Sequence, residues 1–301
     1  MLGLGNLESF FLISDSHVGN SAVGMEDFVI ALRNMKKINK ETNLFHLGDL
    51  TNYGDSIYMA NCLTEISYFF PEAIITLGNH DVRGRKNGLA EKVDNDGWID
   101  FWKVFWDSKK DTLNDPRFNS FNQVKSIFFS CNKKTFGEYE YDNCLIFSLC
   151  TERPIKDSCY LTKNQLDSLE KTIEKSKKEK KIVFILSHQA LNNTHIGSND
   201  FHGFGPQNDQ VEAILNKGKN IVFFSGHIHN GIGKNQIIKK NFGFLVDTPS
   251  FCYPESGLME KGVGYYITLE ENNIKIEPYF FGNIVNEIYK KLEEYIISIT
   301  L

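Results

Sequence analysis

The chain has six cysteines, at 62, 131, 144, 150, 159 and 252, but no C-x-x-C pair and no zinc-knuckle spacing. That pattern reads as buried free thiols in a reducing compartment, with a disulfide within Cys131, Cys144, Cys150 and Cys159 as the alternative. No stretch approaches the ~20 apolar residues of a membrane span, so a membrane partner is not expected. The N-terminus has no basic region ahead of an apolar one and runs straight into FFLISDSH. No secretory signal is read there, and a cytoplasmic location is the expectation. An overall basic field is missing as well: 33 Lys and Arg stand against 38 Asp and Glu, a net charge of −5. Nucleic-acid binding is therefore not favoured, although a small anionic substrate needs only a locally positive site. Repeats and low-complexity linkers are absent too. What remains, 41% hydrophobic and 24% charged, is the composition of an ordinary globular protein.

Five short polar clusters each follow an apolar run. FFLIS leads to Asp15-Ser16-His17, NLFHLG ends at Gly48-Asp49, and AIITLG precedes Asn79-His80-Asp81. IVFILS reaches His188, and IVFFSG reaches Gly226-His227-Ile228-His229. Runs of that length, rich in Ile, Val, Leu and Phe, read as buried strands. In an open sheet, ligands gather outside the carboxyl ends of strands. The clusters thus deliver carboxylates, an amide and imidazoles to one edge, a set of O and N donors that suits a pair of divalent metals. Asp15 with His17, and His227 with His229, are spaced two apart and can chelate from one face. A lone histidine inside a strand, such as His46, reads as a packed, hydrogen-bonded residue.

Between the clusters, Phe28, Val29, Leu32, Met35 and Ile38 form a helical stripe over 25–38, and a second helix is expected over 57–70. Strand and helix alternate here, which argues for a parallel sheet core. Residues 84–135 break the rhythm with an aromatic-rich insertion. Within it, Trp98, Phe101, Trp102, Phe105 and Trp106 follow a helical pattern that packs on the body, walls the cleft, or does both. FGEYEYDNCLIFSL reads as a hairpin turning at Asp142-Asn143. A helix is expected over 162–181, then a functional loop over 189–210. FGFLVDTPSF and GVGYYITLE read as strands of a second sheet. Residues 1–282 are taken as one domain. The tail 283–301 is expected to be an amphipathic helix with Ile284, Ile288, Leu292, Tyr295 and Ile299 on one side, docked on its own domain or contacting a second copy.

The order D-x-H, G-D, G-N-H-D, a lone H and G-H-x-H resembles the calcineurin-like metallophosphoesterases, and the five blocks stand here as DSH, GDLTNYG, GNHD, SH and GHIH. The resemblance implies a four-layer α/β/β/α sandwich of two mixed sheets flanked by helices. It implies that Asp15, His17, Asp49 and His229 hold one metal, and Asp49, Asn79, His188 and His227 the other. Asp49 would bridge ions ~3.5–4 Å apart that activate a shared water for in-line attack on phosphorus. His80 would touch the phosphoryl group and assist the leaving group, with Asp81 either orienting that ring or capping the next turn. Asn52 is a candidate phosphate contact, and His195 and His202, in the loop leaving His188, are candidate substrate contacts. The glycines of GD, GN and GH are read as accepting backbone angles that other residues resist.

Protein serine/threonine phosphatases of the family carry GDxVDRG and GNHE, with arginines gripping the phosphate. GDLTNYG, GNHD and a total of five arginines sit closer to the phosphodiesterase-type branch. The expected activity is hydrolysis of a small phosphodiester, such as a cyclic nucleotide or a glycerophosphodiester. A monoesterase or nuclease of the same fold is the alternative, and a metal-free interaction scaffold the alternative of another class. The O and N donors suit Mn first, with Fe, Zn or Ni according to availability.

Overall fold

The computed structural model describes residues 5–19, 23–52, 56–83, 136–152, 157–233, 236–270 and 273–301. The aromatic-rich insertion and Cys131 lie outside these residues.

Two mixed sheets pack face to face. In the first, β1 (Ser9–Ile13), β2 (Asn43–His46) and β3 (Ile74–Ile75) run parallel. On the other side of β1 come β10 (Val263–Glu270) and β11 (Asn273–Phe280), paired antiparallel. In the second, β5 (Cys144–Ser148), β6 (Ile182–Leu186), β7 (Ile221–Ser225) and β9 (Gly243–Asp247) are parallel. They are flanked by antiparallel β4 (Gly137–Glu140) and β8 (Ile237–Lys240). The expected hairpin is the β4–β5 pair.

Strands covered on both faces read as continuous apolar runs, and β1 shows why. Phe11 and Ile13 face α1 (Met25–Ile38) and α2 (Ser56–Phe69), packing with Phe28, Leu32, Met35 and Leu63. Phe10 and Leu12 face the second sheet and join Phe45, Phe184, Phe224 and Val246. Phe10 stacks on Phe45 at 4.4 Å and meets Phe184 edge-on at 5.6 Å. Such pairs contribute roughly 0.5–1.5 kcal/mol each beyond the area they bury. The short α3 (Asn79–Arg83) opens at the third cluster. The outer face of the second sheet is covered by α4 (Lys163–Glu179) and α5 (Asn208–Leu215), through Leu166, Leu169, Ile173, Val211 and Leu215. Layers therefore run helix, sheet, sheet, helix. The parallel strands β1, β2, β3, β6 and β7 each end at one of the five polar clusters.

The C-terminal tail departs from the expected helix. Lys290–Lys291 forms β12 and Ile297–Thr300 forms β13, both antiparallel to β11, with a 3-10 turn at Glu293–Tyr295 between them. Ile299 and Leu292 are buried, but Ile284 and Ile288 are exposed, so the stripe is not one face. β11 would otherwise present an unpaired edge, and the β-branched run IISIT satisfies it with a period of two. The helix on which a contact with a second copy would have rested is not there.

Candidate metal centre

Five residues of the clusters have left-handed backbone: Asp15 (φ 54°), His17 (44°), Asp49 (52°), His227 (71°) and His229 (50°). Non-glycine residues adopt such angles in only a few per cent of cases, and each costs on the order of 1–3 kcal/mol. Concentrating them at one sheet edge is the mark of a functional constraint. The neighbouring glycines serve two purposes. Gly48 itself has φ +99°, as expected. Gly78 and Gly226 instead are needed for space. A Cβ on Gly78 would lie 2.0 Å from Asp49 Oδ1, and one on Gly226 would lie 1.9 Å from Ser14 Oγ.

The side chains so placed converge. His17 Nε2 and His229 Nε2 are 3.1 Å apart, with Asp15 Oδ1 3.4 Å from His229 Nε2 and 3.9 Å from His17 Nε2. On the other side, His188 Nε2 lies 3.0 Å from Asn79 Oδ1, and His227 joins His188 and Asp49 within 4.8 Å. Asp49 Oδ2 faces both groups, 3.5 Å from His17 Nε2 and 3.2 Å from His188 Nε2. Asp49 Oδ1 is occupied by the His80 backbone N–H at 2.8 Å, and the Asp15 carboxylate accepts the His227 N–H at 3.0 Å. Carbonyl oxygens fix the ring tautomers. His188 Nδ1–H donates to Leu47 O (3.0 Å) and His229 Nδ1–H to Tyr253 O (3.1 Å), turning both Nε2 lone pairs inward. Metal-binding imidazoles are commonly anchored in this way.

Burial raises both carboxylates, yet the surrounding imidazoles hold Asp15 and Asp49 well below the ordinary range, His229 and His188 acting on Asp15 and His188 and His80 on Asp49. Burial opposes charge on His188, but Asp49 and Asp15 outweigh it and raise its pKa to about 9. Burial dominates at His227, whose pKa falls to about 3.

The donor set fits divalent cations. Among the described residues no Lys or Arg pairs with Asp15 or Asp49, and His227 Nε2 is shielded from solvent with no hydrogen-bond partner. Two ligands bound cis to one ion at about 2.1 Å stand about 3 Å apart, which matches the His17–His229 and His188–Asn79 spacings.

His80 lies beside this cluster, its ring 4.5 Å from that of His17 and its Nε2 3.9 Å from Asp49 Oδ2. Its Nδ1–H donates to the Asn52 carbonyl at 2.7 Å, so the backbone of Asn52, the expected phosphate contact, orients this ring. Asp81 does not orient it. Its carboxylate accepts the N–H groups of Leu50, Thr51 and Gly78, a turn-holding role, and burial with Asp49 raises its pKa to about 7. His46 is a packed residue: it accepts the Gly48 N–H at Nδ1 and bonds Ser16 Oγ at Nε2. Neither loop histidine joins the convergent groups. His195 is buried beside the Gln236 backbone, and burial lowers its pKa to about 4. His202 is exposed, at φ 74° in a 3-10 turn.

Two residues reach the site without having been expected there. Asp157 Oδ1 accepts from Asn79 Nδ2 at 3.2 Å, which turns the amide oxygen inward. No local signal marks it, since the partners are 78 residues apart. Cys252 places its sulfur within 4.8 Å of ring nitrogens of His17 and His229, a thiol where only O and N donors were expected. The five described cysteines are all free.

Two mixed sheets sandwiched by helices, with this donor set at one edge, define a metallophosphoesterase. The model of the calcineurin-like phosphoesterases matches residues 9–231, and the chain belongs to that family, a class of metal-dependent phosphoester hydrolases. None of the curated proteins matches the chain. Solved structures show the same fold. A dimetal phosphatase from Danio rerio superposes with TM-score 0.60 at 14% identity, covering 98% of this chain and 99% of its own. The anchor in the inner membrane complex of Plasmodium superposes with TM-score 0.54 at 12% identity, covering 95% and 88%. Among the described residues no helix is long and apolar enough to cross a membrane.

Proposed function

We propose that this chain hydrolyses a small phosphodiester, with Asp15, His17, Asp49 and His229 holding one divalent cation and Asp49, Asn79, His188 and His227 a second. The observation that carries this reading is the position of Asp49 Oδ2, one oxygen facing imidazoles of both groups. When bound, the cations supply Lewis-acid charge and lower the pKa of water. The O and N donors suit Mn(II), with Fe, Zn or Ni at the same positions.

The chain's own residues divide the remaining work. Carbonyl anchors hold His188 and His229 in the tautomer that presents Nε2 inward, and Asp157 does the same for Asn79. His80 is anchored at Nδ1 and partly open to solvent, and its Nε2–H would give a proton to the departing oxygen. The Asn52 amide is a candidate phosphate contact on the same turn. His195, being buried, would act on substrate only by shaping its loop, whereas the exposed His202 could meet it directly. The words GDLTNYG and GNHD favour a diester over a monoester.

Turnover of bis-p-nitrophenyl phosphate and p-nitrophenyl phosphate, by metal-stripped protein with and without added Mn(II), tests this. Mn-dependent cleavage with the diester preferred is the expected result. Preference for the monoester would overturn the diester assignment, and turnover of neither would overturn the hydrolytic reading in favour of a scaffold.

A further inference from the structure

Cys252 follows the exit of β9, in a segment laced to the end of β1. Its N–H donates to the Asp15 carbonyl at 3.1 Å, and the Phe251 N–H donates to the Ser14 carbonyl at 2.9 Å. One residue on, the Tyr253 carbonyl accepts the Nδ1–H of His229 at 3.1 Å. The thiol is thus fixed from both sides, against the strand exit that carries Asp15 and His17 and against the ring of His229. It is completely buried. Burial alone would make it a core thiol, as Cys62, Cys144, Cys150 and Cys159 are, each inside a hydrophobic cluster, and Cys252 itself packs in the cluster that holds Cys62 and Cys150. Cys252 differs because its sulfur and the ring nitrogens of His17 and His229 all lie within 4.8 Å of one another. Sulfur at about 2.3 Å and nitrogen at about 2.1 Å from one ion can stand no more than about 4.4 Å apart. The observed limit is within about half an ångström of that requirement.

We propose that Cys252 is a further ligand of the cation held by His17 and His229, its thiol proton passing to solvent as the sulfur–metal bond forms. The inference rests on the two-cation reading above and adds a soft donor to one position only. The two positions then differ in kind. The one with Cys252 selects a thiophilic ion such as Zn(II), Co(II) or Fe(II), while the one built from Asp49, Asn79, His188 and His227 keeps an all-O/N set that accepts Mn(II).

The test is a titration of the metal-stripped full chain with Co(II) or Cd(II), following thiolate-to-metal charge-transfer absorption and counting bound metal. Wild type should develop the band in step with one equivalent of the bound ions. Cys252→Ser keeps the size of the side chain and should abolish the band, while still binding two ions. Its Zn(II) or Co(II) affinity at one position should fall at least about tenfold relative to Mn(II). Two ions bound by wild type without the band, or a band that survives in both Cys252→Ser and Cys252→Ala, would overturn the proposal and leave the two-cation site standing. Failure of wild type to bind any divalent ion would instead overturn the site itself. A folded Cys252→Ser, checked by circular dichroism, separates loss of a ligand from loss of the fold.

Discussion

Asp49 and His80 are neighbours with different tasks. The Asp49 carboxylate spends one oxygen on the His80 N–H and turns the other to two groups of imidazoles, whereas His80 is held by a carbonyl and is partly open to solvent. His80→Asn should therefore keep near-normal metal content while kcat falls ~10²–10⁴-fold, the range of general acid catalysis. The fall should shrink for p-nitrophenolate esters, which depart without protonation. A fall independent of the leaving group would assign His80 to charge stabilisation, and metal loss would make it a ligand. His195 gives a pH-dependent expectation. Its folded pKa of about 4 lies below the ordinary 6.5, so its contribution is present above pH 6.5 and is lost as pH falls toward 4. The loss is on the order of 3 kcal/mol when complete. Denaturant melts of the metal-free protein from pH 7 to 4 should show a shallower decline for His195→Asn; an unchanged slope would refute it. At this scale the sequence was most legible where ligands come in spaced pairs after strands. Asp157 and Cys252 were not legible, because each reaches the site only through closure of the fold.

Among elements, the strands that carry the clusters were readable because burial on both faces makes them unbroken apolar runs ended by polar residues. Helices α1 and α4 were readable from their stripes. The tail misled, because Ile284, Ile288, Leu292, Tyr295 and Ile299 keep a helical spacing while the open edge of β11 offers backbone partners that a helix would leave unmet. The two pictures predict different energetics. Ile299 is 3% exposed and packs between the sheets, so Ile299→Ala should cost about 2–4 kcal/mol in urea unfolding. Ile288 is 75% exposed, and Ile288→Ala should stay within about 0.5 kcal/mol. Equal losses at both positions would contradict the strand and restore the helix.

For the whole molecule, the fold alone does not decide function: a phosphatase and an anchor protein share it with this chain. What decides is the edge where parallel strands of both sheets end. Five left-handed residues there concentrate strain that no packing requirement explains. On the two-cation proposal, this strain places the ligands around two ions that share Asp49. Crystallography of the Mn-soaked protein with anomalous scattering, beside metal counts for Asp49→Asn, tests this most directly. Two anomalous peaks should flank Asp49 Oδ2, one against His17 and His229 and the other against His188 and His227, with most of the metal lost in Asp49→Asn. A single peak, peaks elsewhere, or full metal content in Asp49→Asn would contradict it.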